Sequence, residues 1–156
     1  MTSSNYTAIK LERDGHIATI KLNRPERMNA VNSVLADDFH RVLDEIAAEN
    51  DIRVVIITGE GRGFCAGADV NQMADSLEGK ANTFTSQYAS GVSPLAPHLR
   101  SIPQPVIAAV NGVAAGGGFG IALACDMRIA SEKARFGCVF VKRSLVPDTG
   151  TSYTTP

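Results

Sequence analysis

The stretch from Pro103 to Ala130, PQPVIAAVNGVAAGGGFGIALACDMRIA, restricts the folds open to this chain more than any other. It opens on the apolar, partly β-branched run Val106 to Val110 and passes the turn residues Asn111 and Gly112. It then reaches the triple glycine Gly116-Gly117-Gly118 and continues through Phe119, Ile121, Ala122, Leu123 and Ala124 to Asp126. This pattern predicts a buried strand, a glycine loop and then the N-terminus of a buried helix. The first N–H groups of a helix have no partner within it and lie at the positive end of its dipole. Glycines there let a ligand oxygen approach those donors closely. A tight turn that needs glycine only for its own geometry is the competing reading. A second stretch, GEGRGFCAGADV from Gly59 to Val70, also follows an apolar run, Val54 to Ile57, and also passes through glycines. Two such junctions side by side can aim two backbone N–H groups at one oxygen, the arrangement that stabilises an oxyanion.

The 156 residues suit one domain with a substantial core. Fifteen basic residues against 16 acidic ones, net −1, carry no footprint of nucleic-acid binding. Cys65, Cys125 and Cys138 are odd in number, lack CxxC spacing and have apolar neighbours, which reads as reduced, mostly buried thiols. The start MTSSNYTAIKLERDG has neither a signal-peptide core nor an Arg-rich presequence, and no segment approaches the length of a membrane span. A cytoplasmic protein without membrane or nucleic-acid partners is expected. His16, His40 and His98 lack metal-ligand spacing, so no metal site is expected, and each reads as a surface or capping residue. A dinucleotide fingerprint fails because Ile121 and Leu123 stand where its last glycine would be. Cys65, with no histidine close in sequence, reads as a small buried hydrophobe.

Along the chain, Tyr6 to Glu12 and His16 to Leu22 alternate around Asp14-Gly15, a hairpin signal. Asn32 suits a helix N-cap, followed by Leu35, Phe39, Val42, Leu43 and Ile46 at helical spacing. Val54 to Thr58 reads as a buried strand, Val70 to Ser76 as a helix, and Lys80 to Leu99 as a weakly patterned helical stretch. Pro103 and Pro105 end that helix, and Met127 to Ala130 is a further short strand. Strands alternating with helices point to an α/β or mixed α+β core. Periodicity does not choose between a doubly wound sheet and other arrangements of these elements.

Several blocks together resemble the crotonase (enoyl-CoA hydratase/isomerase) superfamily. They are Arg24-Pro25 with Met28-Asn29-Ala30, Val54 to Gly59, Phe64 to Asp69, Pro105 to Gly112, Gly116 to Gly118, Ala124-Cys125-Asp126, and Ala130-Ser131-Glu132 leading to Phe136-Gly137. They occur in family order and cover nearly the whole chain. The resemblance implies a spiral of repeated ββα turns as a single core domain over 1–156. It further implies that the C-terminal helical part, which completes the active-site wall and assembles trimers or hexamers, is missing. A homo-oligomer is therefore expected, with apolar core surface exposed where nothing covers it.

What the family does implies a coenzyme A thioester as substrate and no permanently bound cofactor. The resemblance places the oxyanion-hole donors at the N–H groups of Ala68 and Gly117. It places substrate and coenzyme A contacts at Met28, Ala30, Ala66, Asp69, Val70, Gly116 and Phe140, with Arg24 or Arg27 candidates for the phosphates. The glutamate positions of the family's hydratases are Gly120 and Phe140 here, and neither can act as acid or base. Asp148 matches the acidic position of the family's isomerases and of its aryl-CoA dehalogenases. The dehalogenase histidine position holds Ser93 instead. An isomerase with Asp148 as its single base is thus the leading expectation. Hydration, dehalogenation and a truncated, non-catalytic acyl-CoA-binding fragment are the alternatives, and Pro-Asp-Thr-Gly also suits a plain turn.

Overall fold

A computed structural model describes residues 6–77, 92–141 and 146–154. Strands β1 (Ile9–Asp14) and β2 (Ile17–Leu22) form the expected hairpin, antiparallel with Asp14 opposite Ile17. A short 3-10 turn (Pro25–Arg27) leads to helix α1 (Ser33–Ala47), whose N-cap Asn32 accepts a bond from the Leu35 N–H at 2.9 Å. Then come β3 (Val54–Gly59), β4 (Gly63–Cys65), α2 (Val70–Leu77), α3 (Leu95–Leu99), β5 (Val106–Val110) and β6 (Val113–Ala115). Helix α4 (Gly117–Ala124), β7 (Met127–Ala130), β8 (Arg135–Gly137) and α5 (Thr151–Thr154) complete the order.

Each turn of chain after the hairpin gives its first strand to one sheet and its second to another. The larger sheet runs β1-β2-β3-β5-β7 and the smaller β4-β6-β8, with every pairing after β1-β2 parallel. This is the spiral of ββα turns, a mixed α/β architecture. The smaller sheet carries no sequence signal of its own: GFC, VAA and RFG are each three residues long and too short for a period-2 pattern. Both junctions read from sequence as glycine loops therefore contain a strand.

The core lies between the large sheet and α1, where Ile20, Leu22, Leu35, Phe39, Leu43, Ile46 and Ile57 are fully buried. Each such side chain contributes about 1.5–3 kcal/mol on leaving water. Helix α4 is largely buried, and it carries glycine at 117, 118 and 120 where Val92, Cys65 and Thr149 close in on it. The outer edge of β7 pairs with no strand among the described residues, and its Met127 and Ile129 are 58% and 62% exposed; Phe136, on β8 of the smaller sheet, is 47% exposed.

Two expectations change. The helical stretch foreseen from Lys80 to Leu99 lies largely outside the described residues; within them only Leu95–Leu99 is helical. His40 is no surface residue: it is 3% exposed on the inner face of α1 and stacks on His98, with ring centroids 4.8 Å apart. Its Nδ1 pairs with a ring 58 residues away, which offsets part of the cost of burying it and is a contact no local pattern reveals.

Candidate active site

The residues from Met28 to Val31 run alongside those from Ala66 to Asp69. The Ala66 N–H donates to the Met28 carbonyl at 3.0 Å, Val31 N–H to Gly67 at 2.7 Å, and Asp69 N–H to Val31 at 2.9 Å. Val31 and Ala68 form a parallel bridge. In such a ladder the neighbours of Ala68 bond to the partner segment, so the N–H of Ala68 itself points the other way. On that other side lies the triple glycine. A Cβ placed on Gly67, whose φ is +94°, would stand 2.8 Å from the Ala115 carbonyl oxygen and 3.2 Å from the Gly117 nitrogen. Only glycine permits both that backbone angle and that approach.

Gly116 turns the chain from β6 into α4 at φ 53° and ψ −125°, and its N–H donates to Gly137 at 2.9 Å. Gly117 is then the first residue of α4, and its N–H is among those left free by the helix. Among the described residues, neither Ala68 N–H nor Gly117 N–H donates to a backbone carbonyl. Two N–H groups with no backbone acceptor among the described residues thus lie in adjacent loops.

Met28 and Ala30 sit in the ladder beside Ala66 and Asp69, so four of the expected thioester contacts form one continuous wall. Val70 opens α2 and is 58% exposed, Gly116 is buried, and Phe140 is buried at 3%. The Arg24 guanidinium is engaged through Nη1. It pairs with Asp69 at 3.0 Å and donates to the Ala30 carbonyl at 2.5 Å, cross-bracing the wall; Arg27 stays exposed.

Asp148 stands against α4. Its Oδ1 accepts from the Thr149 hydroxyl at 2.8 Å and its Oδ2 from the Ser93 hydroxyl at 3.1 Å. Thr149 Oγ1 lies 3.2 Å from where a Cβ on Gly117 would be, and the rest of its side chain fills the space above Gly120. One threonine side chain therefore separates the carboxylate from the first turn of α4. Val92, beside Ser93, packs on Gly117 so closely that any Cβ there would collide with it. The turn reading of Asp148 also holds locally, since its carbonyl accepts from Thr151 N–H at 2.9 Å and Thr151 Oγ1 at 2.6 Å.

His98 faces α1: its Nδ1 lies 2.5 Å from Nδ1 of His40 and its Nε2 3.0 Å from Asp44 Oδ1. Burial pushes the Cys65 thiol up to about 11, against a hydrogen bond from the Gly67 N–H, which suits a packing residue and not a nucleophile. An open recess of about 270 Å³ lies at the opposite end of α4, beside Ala124, Asp126 and Gln104, and includes none of the expected site residues. No group of three His, Cys, Asp or Glu side chains among the described residues could hold a metal. Likewise no helix among them is long and apolar enough to cross a membrane. Thr149 carries no signal of its own in the sequence, because nothing local marks a threonine that sits at φ 51° between a carboxylate and a helix.

A family model described as enoyl-CoA hydratase/isomerase matches residues 12–156. The chain is 39% identical over 140 residues to the 1,2-epoxyphenylacetyl-CoA isomerase of Escherichia coli K12, covering 90% of this chain and 53% of that one. It is 41% identical over 135 residues to the (E)-benzylidenesuccinyl-CoA hydratase of Thauera aromatica, covering 86% and 51%. The solved structure of a putative enoyl-CoA hydratase from Streptomyces coelicolor A3(2) superposes with a TM-score of 0.86 at 31% identity, over 100% of this chain and 57% of the other. The chain thus spans about half the length of the relatives it matches.

Proposed function

The chain belongs to the enoyl-CoA hydratase/isomerase family, and we propose that it moves the double bond of an enoyl-CoA thioester by proton transfer through an enolate. The observation that carries this is the carboxylate of Asp148, held one threonine side chain away from Gly117. In this reading the thioester carbonyl lies between the N–H groups of Ala68 and Gly117. The wall of Met28, Ala30, Ala66, Asp69 and Val70, with Gly116 and Phe140, receives the rest of the substrate. Asp148 takes the α-proton of a 3-enoyl thioester, and the negative charge moves onto the carbonyl oxygen. The two N–H donors are in place before that charge appears, which is why such pairs lower a barrier; one donor is worth roughly 3–4 kcal/mol. Asp148 then returns the proton to the γ-carbon, giving the conjugated 2-enoyl thioester.

Hydration needs one group to activate water and another to protonate carbon. Position 120 offers no side chain and no room for one, since a Cβ on Gly120 would lie 2.7 Å from both Cβ and the carbonyl oxygen of Thr149. Position 140 is a buried phenylalanine. Hydratase activity is the second reading, because several relatives carry that name.

The test is a panel of 3-enoyl-CoA thioesters assayed for conjugation beside crotonyl-CoA assayed for water addition. Conjugation without hydration is expected, and Asp148→Asn should lower it by about 10²- to 10⁴-fold. Hydration at a comparable rate, or an Asp148→Asn loss below about tenfold, would overturn the single-base mechanism.

A further inference from the structure

We infer that Ser93 and Thr149 are positioning residues that clamp the Asp148 carboxylate with one hydroxyl on each oxygen; this rests on Asp148 being the base. A carboxylate held through one oxygen still swings about its last torsion, and donors on both oxygens stop it. Ser93 Oγ bonds Oδ2 at 3.1 Å and Thr149 Oγ1 bonds Oδ1 at 2.8 Å, from chain segments 56 residues apart. Each oxygen keeps a second lone pair, so the clamp leaves Asp148 able to accept a substrate proton.

Thr149 carries the mark of a constrained residue. It is 2% exposed and holds φ 51°, a region costly for a β-branched side chain. Such a conformation persists only where its surroundings over-determine it. Here the side chain is wedged between Asp148 and the glycines at 117 and 120. Ser93, although exposed, follows Val92, which packs directly on Gly117. The segment that braces one oxyanion donor therefore also holds the base, and the two are kept in register with each other.

The experiment compares Ser93→Ala and Thr149→Val with Ser93→Thr and Thr149→Ser in the 3-enoyl-CoA assay, each also in the Asp148→Asn background. Losing a hydroxyl should lower kcat by roughly ten- to a hundredfold, the worth of a hydrogen bond to a charged group, with KM within about twofold. The hydroxyl-keeping variants should recover most of that loss. In Asp148→Asn the same changes should do nothing further, because their effect passes through the carboxylate. Wild-type kcat in Ser93→Ala and Thr149→Val, with Asp148 still essential, would overturn the clamp alone. So would a loss that persists in Asp148→Asn, or one confined to KM. Activity that is absent in the wild type or indifferent to Asp148→Asn would overturn the base assignment and the clamp with it.

Discussion

The imidazoles of His40 and His98 meet Nδ1 to Nδ1 at 2.5 Å, joining α1 to the short helix α3. Two ring nitrogens that close share one proton; a second would set two N–H groups against each other. His98 also holds Asp44 through Nε2 at 3.0 Å. The pair supports α3, just beyond Val92 and Ser93, so it underlies the candidate site without belonging to it.

Burial, followed by the neighbouring His98, lowers the His40 pKa from its ordinary 6.5, while Asp44 and Asp37 pull the other way. The neutral ring is the form the fold prefers. A group with a depressed folded pKa contributes stability that is complete above its unfolded value and is lost as pH falls. Urea midpoints should be level above about pH 7 and decline below about pH 6.5. Replacing the pair by His40→Phe with His98→Leu should flatten that decline. An unchanged slope in the double variant would assign it to other groups.

Cys65 and Cys125 are buried, with thiols pushed up to about 11 and about 12 by desolvation, whereas Cys138 is exposed. Iodoacetamide at pH 8 should modify Cys138 alone in the folded protein and all three thiols in urea, as read by intact mass. Rapid labelling of Cys65 in the folded protein would contradict its close packing beneath Gly118.

Gly120→Ala should destabilise the protein by about 1–3 kcal/mol, because the added methyl meets Thr149. Helix propensity alone favours alanine by about 1 kcal/mol, so the sign of the change separates the two effects. Thermal unfolding provides it. Stabilisation would mean that the turn at Thr149 does not press on α4.

Asn29 is fully buried at φ 56°, donating to the carbonyls of Glu60 at 3.0 Å and Gly63 at 2.8 Å and accepting from Arg24 N–H at 2.8 Å. Asn29→Ala strands those backbone groups and should cost on the order of 2–4 kcal/mol in urea unfolding. A change below about 0.5 kcal/mol would show that the wall from Met28 to Val31 is held by its ladder alone.

The order of the longer elements was legible because each of them carries its own local signal. Asp14-Gly15 turns the hairpin, Asn32 caps α1, the apolar run from Val54 becomes β3, and the triple glycine leads into α4. Ala68 and Gly117 were named as candidate donors by the resemblance to the family, since the glycine-rich junctions alone also suit a plain tight turn.

What the sequence determined by itself was therefore the succession of the longer strands and helices, the family pattern and the lack of an acid at positions 120 and 140. The tertiary structure decided how those elements divide between two sheets, since the three-residue strands β4, β6 and β8 exist only through their pairing. It also decided what surrounds each polar group. Ser93 and Asp148, like His40 and His98, lie more than fifty residues apart in the chain and meet only when the helices pack. Local periodicity reports which face of an element is buried; a hydrogen bond between distant side chains depends on where two elements come to rest against each other.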